Sequence, residues 1–131
     1  MHSHFRLKNG MIKSYRDLEV FQRSYKLALV IKNVTLGFPS EERYLLRDQL
    51  NRSTRSIPAN IAEGWAKRNY TAIFRRHLID ALGSSAETEV HLRMALDFGY
   101  VSNENHATMH NEIIEIGKML NMLHRNWKSF K

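Results

Sequence analysis

The chain of 131 residues contains no cysteine. That absence removes disulfides, zinc–thiolate sites and thiol nucleophiles together, and it fits a reducing cytoplasm, where the protein is expected to reside. No apolar run reaches the roughly 18 residues that a membrane span needs, and no signal-like segment follows the amino terminus, so no membrane partner is expected. Strand-like alternation is missing throughout. So are the signatures of catalysis in a helical protein: no glutamate is followed three residues later by a histidine, and no HExxH occurs. A di-iron carboxylate centre needs the first and a zinc hydrolase the second. Glu87 with His91, and His106 with His110, are spaced four apart but form neither motif. No metal, cofactor or catalytic residue is therefore expected.

Acid is scarce in one half of the chain. Residues 1–76 hold fifteen basic side chains against six acidic, whereas residues 77–117 hold seven acids and a single base, Arg93. Four more basic residues and no acid follow. The formal charge of +7 is thus divided into a basic region and an acidic one. The former suits an anionic partner.

Residues 1–14 show no sustained periodicity, only an Asn9-Gly10 turn signal, and read as a flexible amino-terminal arm before a bundle domain over 15–131. From Asp17, taken as the N-cap, the spacing of Leu18, Phe21, Tyr25, Ala28 and Leu29 predicts a first helix, widened by Val20, Leu27, Ile31 and Val34. Gly37 and Pro39 end it. Ser40, followed by Glu41 and Glu42, opens a second helix to about Lys67, in which Pro58 is expected to introduce a kink. A third runs from Tyr70 or Thr71 to Phe98. A fourth, capped by Ser102 or Asn103, carries Met109, Ile113, Ile116, Gly117, Leu120, Leu123 and Trp127. Four such helices with short links predict an all-α, antiparallel, up-down-up-down bundle.

The second and third helices carry small and polar residues in the middle of their apolar faces. Leu46, Leu50, Ser53, Ile57, Asn60, Ile61 and Gly64 share one side of the first arm; Phe74, Leu78, Ala81, Ser85, Thr88, Leu92 and Ala95 share one side of the second. Turned back on each other, the arms set Ser53 and Thr54 opposite Ser84 and Ser85. Small residues facing small residues let two backbones approach closely, so a tight helical hairpin is the reading preferred over a binding role. Glu63 and Glu87 lie off these stripes. Glu63 is expected to bond Arg75 or Arg76 across the hairpin, Glu87 a neighbouring subunit, both fixing register and neither acting as an acid or base.

The third helix has a second stripe, Ala72, Ile79, Ala86, Val90 and Met94, on nearly the opposite side. A bundle helix needs one apolar face, so the second implies burial on both sides or contact with another copy. A homo-oligomer is the expectation, with Ile79, Ala86, Val90 and Met94 at the contact. Arg43, Arg47, Arg52, Arg55, Lys67, Arg68, Arg75 and Arg76 are the candidates for nucleic-acid binding, since arginine forks match phosphate oxygens and Tyr44, Trp65 or Tyr70 offers a stacking face.

The segments YRDLEVFQRSYKLA at Tyr15 to Ala28, IPANIAEG at Ile57 to Gly64 and LGSSAE at Leu82 to Glu87 resemble, in combination and order, a bacterial four-helix bundle family. Its founding members are encoded by intervening sequences within large-subunit ribosomal RNA genes. The similarity covers Tyr15 to Leu123. It implies an antiparallel four-helix bundle assembling into a ring-like homopentamer without known catalytic activity. By architecture alone, a more distant resemblance is to the accessory protein of diversity-generating retroelements, a basic pentamer that binds nucleic acid and a reverse transcriptase. The expected function is a non-enzymatic, oligomeric protein that binds RNA, that of the ribosomal intervening sequence, through its basic surface. The alternative is a scaffold that docks another protein and makes no nucleic-acid contact.

Overall fold

The computed structural model describes residues 6–7 and 10–127, with side chains from Ile12 onward. Half of the expected arm at 1–14, residues 1–5 and 8–9, lies outside the described residues. Within it, β1 (Arg6–Leu7) pairs antiparallel with β2 (Gly10–Met11), Arg6 opposite Met11 and Leu7 opposite Gly10; Asn9 of the expected turn lies outside the described residues. All other regular structure among the described residues is helical: α1 (Glu19–Thr35), α2 (Leu46–Ala66), α3 (Thr71–Asp97) and α4 (Asn103–Asn126). α1 packs on α2 and α4, α2 on α3, and α3 on α4.

The first two helix starts differ from the sequence reading. Asp17 is the last residue of a 3-10 turn (Tyr15–Asp17) capped by Ser14: the Ser14 hydroxyl accepts from the Arg16 N–H at 3.0 Å, and the Asp17 carboxylate accepts from the Lys13 and Ser14 N–H groups at 2.8 and 3.2 Å. Ser40 likewise starts a 3-10 turn (Ser40–Glu42), and α2 begins six residues later. There the Glu42 carboxylate accepts from the Leu46 N–H at 3.2 Å and from the Tyr100 hydroxyl at 2.8 Å. In both places a carboxylate takes up backbone N–H groups at the entrance to a helical segment. α4 starts as expected, with the Ser102 hydroxyl accepting from the Asn105 N–H at 3.0 Å. Beyond α3, Gly99 takes φ of 81°, the left-handed conformation that ends a helix cheaply only at glycine.

The core is a continuous cluster from Leu18 to Trp127. The expected inner stripe of α3 is buried at every position: Phe74, Leu78, Ala81, Ser85, Thr88, Leu92 and Ala95. On α1 the face is shifted: Leu18, Val20, Leu27 and Ile31 are buried as expected, but the centre of the stripe lies elsewhere. The buried face of the helix is Val20, Ser24, Leu27, Ile31 and Thr35, while Tyr25 and Leu29 of the supposed main stripe are exposed. Ser24 and Thr35 can sit inside because their hydroxyls donate to the carbonyls of Phe21 and Lys32 at 3.1 and 3.0 Å. Two polar letters disguised the buried side.

At the α2–α3 contact the Thr88 hydroxyl donates to Ser53 at 2.9 Å, and the Ser56 hydroxyl bonds that of Ser84. Ser53 therefore faces Thr88 and not Ser84 or Ser85, about one turn from the expected register. Farther along, the Asn60 side-chain oxygen lies 3.1 Å from His77 Nδ1, and Asn60 Nδ2 donates to the Ser56 carbonyl at 3.0 Å. Gly64 is the tightest point: a Cβ there would lie 2.7 Å from His77 Cβ and 3.0 Å from Phe74 Cδ1. Below it the rings of Trp65, Phe74 and Trp127 meet edge to face, Phe74 and Trp127 with centroids 4.5 Å apart.

α1 is tied to α4 by Arg23, whose two nitrogens reach the two oxygens of Glu112 at 2.9 and 2.7 Å. This bidentate bond holds the Glu112 carboxyl below the usual carboxylate range, against the opposing effect of burial. A carboxylate stabilised in the folded state contributes above its unfolded pKa and loses that contribution as pH falls through its folded value. Glu112→Gln is expected to cost about 1 kcal/mol at pH 7 and less at pH 3, as measured by urea unfolding at both. An equal cost at the two pH values would contradict this assignment.

Candidate nucleic-acid interface

The eight candidate basic residues do not gather into one patch. Arg47 and Lys67 stand twenty residues apart across the length of α2, about 30 Å at the helical rise. Near one end, Arg43 lies over the ring of the exposed Tyr44 at 5.9 Å, and Arg47 is half-buried. Arg52 is exposed, 3.9 Å from Asp48, and shares a cleft of about 520 Å³ with Ser53, Ser56 and Glu87. Arg55 turns toward α1, where it and Lys32 rim another groove. Near the other end, Lys67 bonds Glu63 at 3.1 Å, and Arg68 lies over Trp65 at 4.5 Å while donating to its carbonyl at 3.0 Å. Arg75 is half-buried against α4, and Arg76 is exposed. Arg43, Arg47, Arg55, Arg75 and Arg76 have no ion pair among the described residues.

Of the five polar residues assigned structural roles, Ser53 and Ser85 are buried and Asn60 half-buried. Glu63 and Glu87 are exposed. Glu63 bonds Lys67 one turn on, not Arg75 or Arg76, and that hydrogen bond, then the lysine's charge, lowers its pKa. An exposed carboxylate needs no partner across the hairpin, which is why the spacing argument misassigned it. Ser56 and His77, which join α2 to α3 beside Ser84 and Asn60, escaped the sequence reading. Helical angles put both on the edge of the shared face, where a polar residue looks solvated.

Ile79, Ala86, Val90 and Met94 all point outward from the protomer, with Val90 54% exposed. Asp80 and Glu87 lie beside them on the same outer surface, and both are exposed. A second apolar surface, which the sequence did not reveal, is a groove of about 440 Å³ between α1 and α2. Phe21, Tyr25, Leu29, Pro58 and Ala62 line it, and Lys32 and Arg55 stand at its margin.

Among the described residues no three His, Asp or Glu side chains are grouped as a metal centre requires. His110 Nε2 lies 3.2 Å from Glu89, and the His106 ring stacks on that of His110 at 5.5 Å. Nor is any described helix long and apolar enough to cross a membrane. What these features define, among the described residues, is a four-helix protein with unpaired arginines and outward apolar faces.

The chain belongs to the 23S rRNA-intervening sequence protein family, whose model matches residues 16–122. It is similar to a crystal structure of a protein of unknown function from the S23 ribosomal protein family of Bacteroides thetaiotaomicron. The two are 29% identical, with a TM-score of 0.75 over 82% of this chain and 96% of that one. Among curated proteins none is significantly similar to this chain. Neither the family nor that neighbour is described as an enzyme.

Proposed function

We propose that this chain is a non-enzymatic, cytoplasmic RNA-binding protein, an up-down-up-down bundle whose copies join in a ring, five being the number the family resemblance implies. The observation that carries the RNA reading is the set of unpaired arginines at both ends of the α2–α3 hairpin. A guanidinium without a carboxylate keeps its fork of donors available to phosphate oxygens. The family's description, a protein of the 23S rRNA intervening sequence, supports ribosomal RNA as the partner.

Assembly follows from two unlike apolar faces on one protomer. The outer stripe of α3 carries both acids, Asp80 and Glu87, and bases, Arg76 and Arg93, at its edges, whereas the α1–α2 groove is rimmed by Lys32 and Arg55. Seating one copy's stripe in the next copy's groove is a head-to-tail contact between two apolar surfaces, which closes into a ring when the rotation allows. A ring repeats the basic ends around its axis and multiplies phosphate contacts.

Filter binding to a structured large-subunit rRNA fragment tests the reading. With about three to four phosphates neutralised per protomer, affinity is expected to fall roughly 40- to 150-fold between 50 and 200 mM salt. No binding at low salt, or binding indifferent to salt, would remove the proposal. The apolar groove also suits the alternative of a protein-docking scaffold; a stoichiometric protein partner retained after nuclease treatment, with no RNA bound, would favour it.

A further inference from the structure

The carboxyl-terminal half of α4 carries a basic surface outside the eight residues considered so far. Lys118, Asn121 and Arg125 recur at the i, i+3, i+7 spacing that places side chains on one helix face. With Met122 and His124 they face Arg75 of α3 across a cleft of about 690 Å³. Four of its six lining residues are basic or titratable to a cation, and none is acidic. Lys118 bonds Glu115 at 3.4 Å, whereas Arg75, His124 and Arg125 have no acidic partner among the described residues. Burial, and then the charge of Arg75, push the His124 imidazole below its ordinary pKa. Like charges are thus held in one concavity with Glu115, on Lys118, the one carboxylate bonded to them among the described residues, an arrangement that costs stability and that a bound anion relieves.

We propose that the α3–α4 cleft is an anion site for phosphate groups, held by Arg75, Lys118, His124 and Arg125. Arg75 approaches from α3, and the other three from α4. Lys118 and Arg125 are two helical turns apart, about 10 Å, so the site is longer than one phosphate and follows a line of them. Arginine gives the bidentate contacts, lysine a point charge, and His124 a ring N–H donor. Asn121 adds a neutral donor, and the exposed Met122 an apolar edge against which a sugar or base can rest. Such contacts recognise the phosphate and not the sequence. The site rests on the RNA reading only for the source of its phosphates, an RNA backbone or free phosphate.

The test is NMR of the His124 ring in the full chain, titrated separately with inorganic phosphate and with a short single-stranded RNA lacking terminal phosphates. RNA is expected to shift the His124 signals saturably, phosphate to compete, and Arg75→Gln with Arg125→Gln to weaken binding by about tenfold or more. Arg125 is exposed and Arg75 half-buried, and neither has an ion pair among the described residues, so helical content by circular dichroism is expected to be unchanged. Saturation by phosphate alone would keep the site while detaching it from RNA. RNA binding that leaves His124 unmoved would overturn the cleft yet leave the general RNA reading standing. No response to either ligand would overturn the site outright.

Discussion

Phe74→Ala is expected to lower stability by about 3–5 kcal/mol and the unfolding midpoint by roughly 10–20 °C. The ring is fully buried near the start of α3. Trp65 of α2 and Trp127 beyond α4 meet it edge to face, and Gly64 leaves only hydrogen-sized room beside it. Removing the ring forfeits burial of its apolar surface and leaves a cavity walled by two indoles. Large rings on separate helices cannot close on the void without moving backbones. Thermal and urea unfolding measure the loss; Phe74→Leu, which keeps most of the volume, is expected to cost well under half as much. A loss below about 1 kcal/mol for the alanine variant would mean that this aromatic junction is not a keystone of the core.

Val90→Arg is expected to convert the assembly into single chains of 15.4 kDa with unchanged helical content. Val90 stands at the centre of the outer α3 stripe and is half-exposed in the protomer, so an arginine there disturbs the isolated bundle by no more than about 0.5 kcal/mol. In a contact between copies the same long guanidinium is stripped of water among apolar side chains, with Asp80 and Glu87 at the margin of the stripe, a cost expected to reach several kcal/mol in each interface. Sedimentation velocity separates the outcomes. Leu36→Arg, at an equally exposed apolar position past the end of α1, is the control and is expected to leave the mass unaltered. Loss of assembly in both variants, or in neither, would contradict the assignment of the stripe.

How much of this was legible in the sequence depends on which physical quantity each feature rests on. The inner face of α3 follows from angular periodicity alone, and its seven positions from Phe74 to Ala95 are all buried. On α1 the same rule held for Val20, Leu27 and Ile31 but misplaced the centre of the face, because Ser24 and Thr35 satisfy their hydroxyls within their own helix and pass as core. Periodicity gives the face but not the axial offset between helices. That offset is set by steric contact at Gly64 and His77, so the serine ladder sits one turn from its expected register. Charge counting revealed a basic half but not its division between the two ends of a helix some 30 Å long. The Arg23–Glu112 bond joins residues 89 positions apart, and the cleft around Arg75 and Arg125 joins residues fifty apart. No local pattern encodes either.

That α3 is apolar on two sides, one packed inside its own bundle and one against another copy, is the premise on which the ring and its pooled basic surface depend. Light scattering coupled to gel filtration, at micromolar concentration and moderate salt, tests it on the unaltered chain. The expected result is one symmetric species at five times the single-chain mass, or at another fixed multiple if the ring closes with a different number. A clean mass of 15.4 kDa would contradict it.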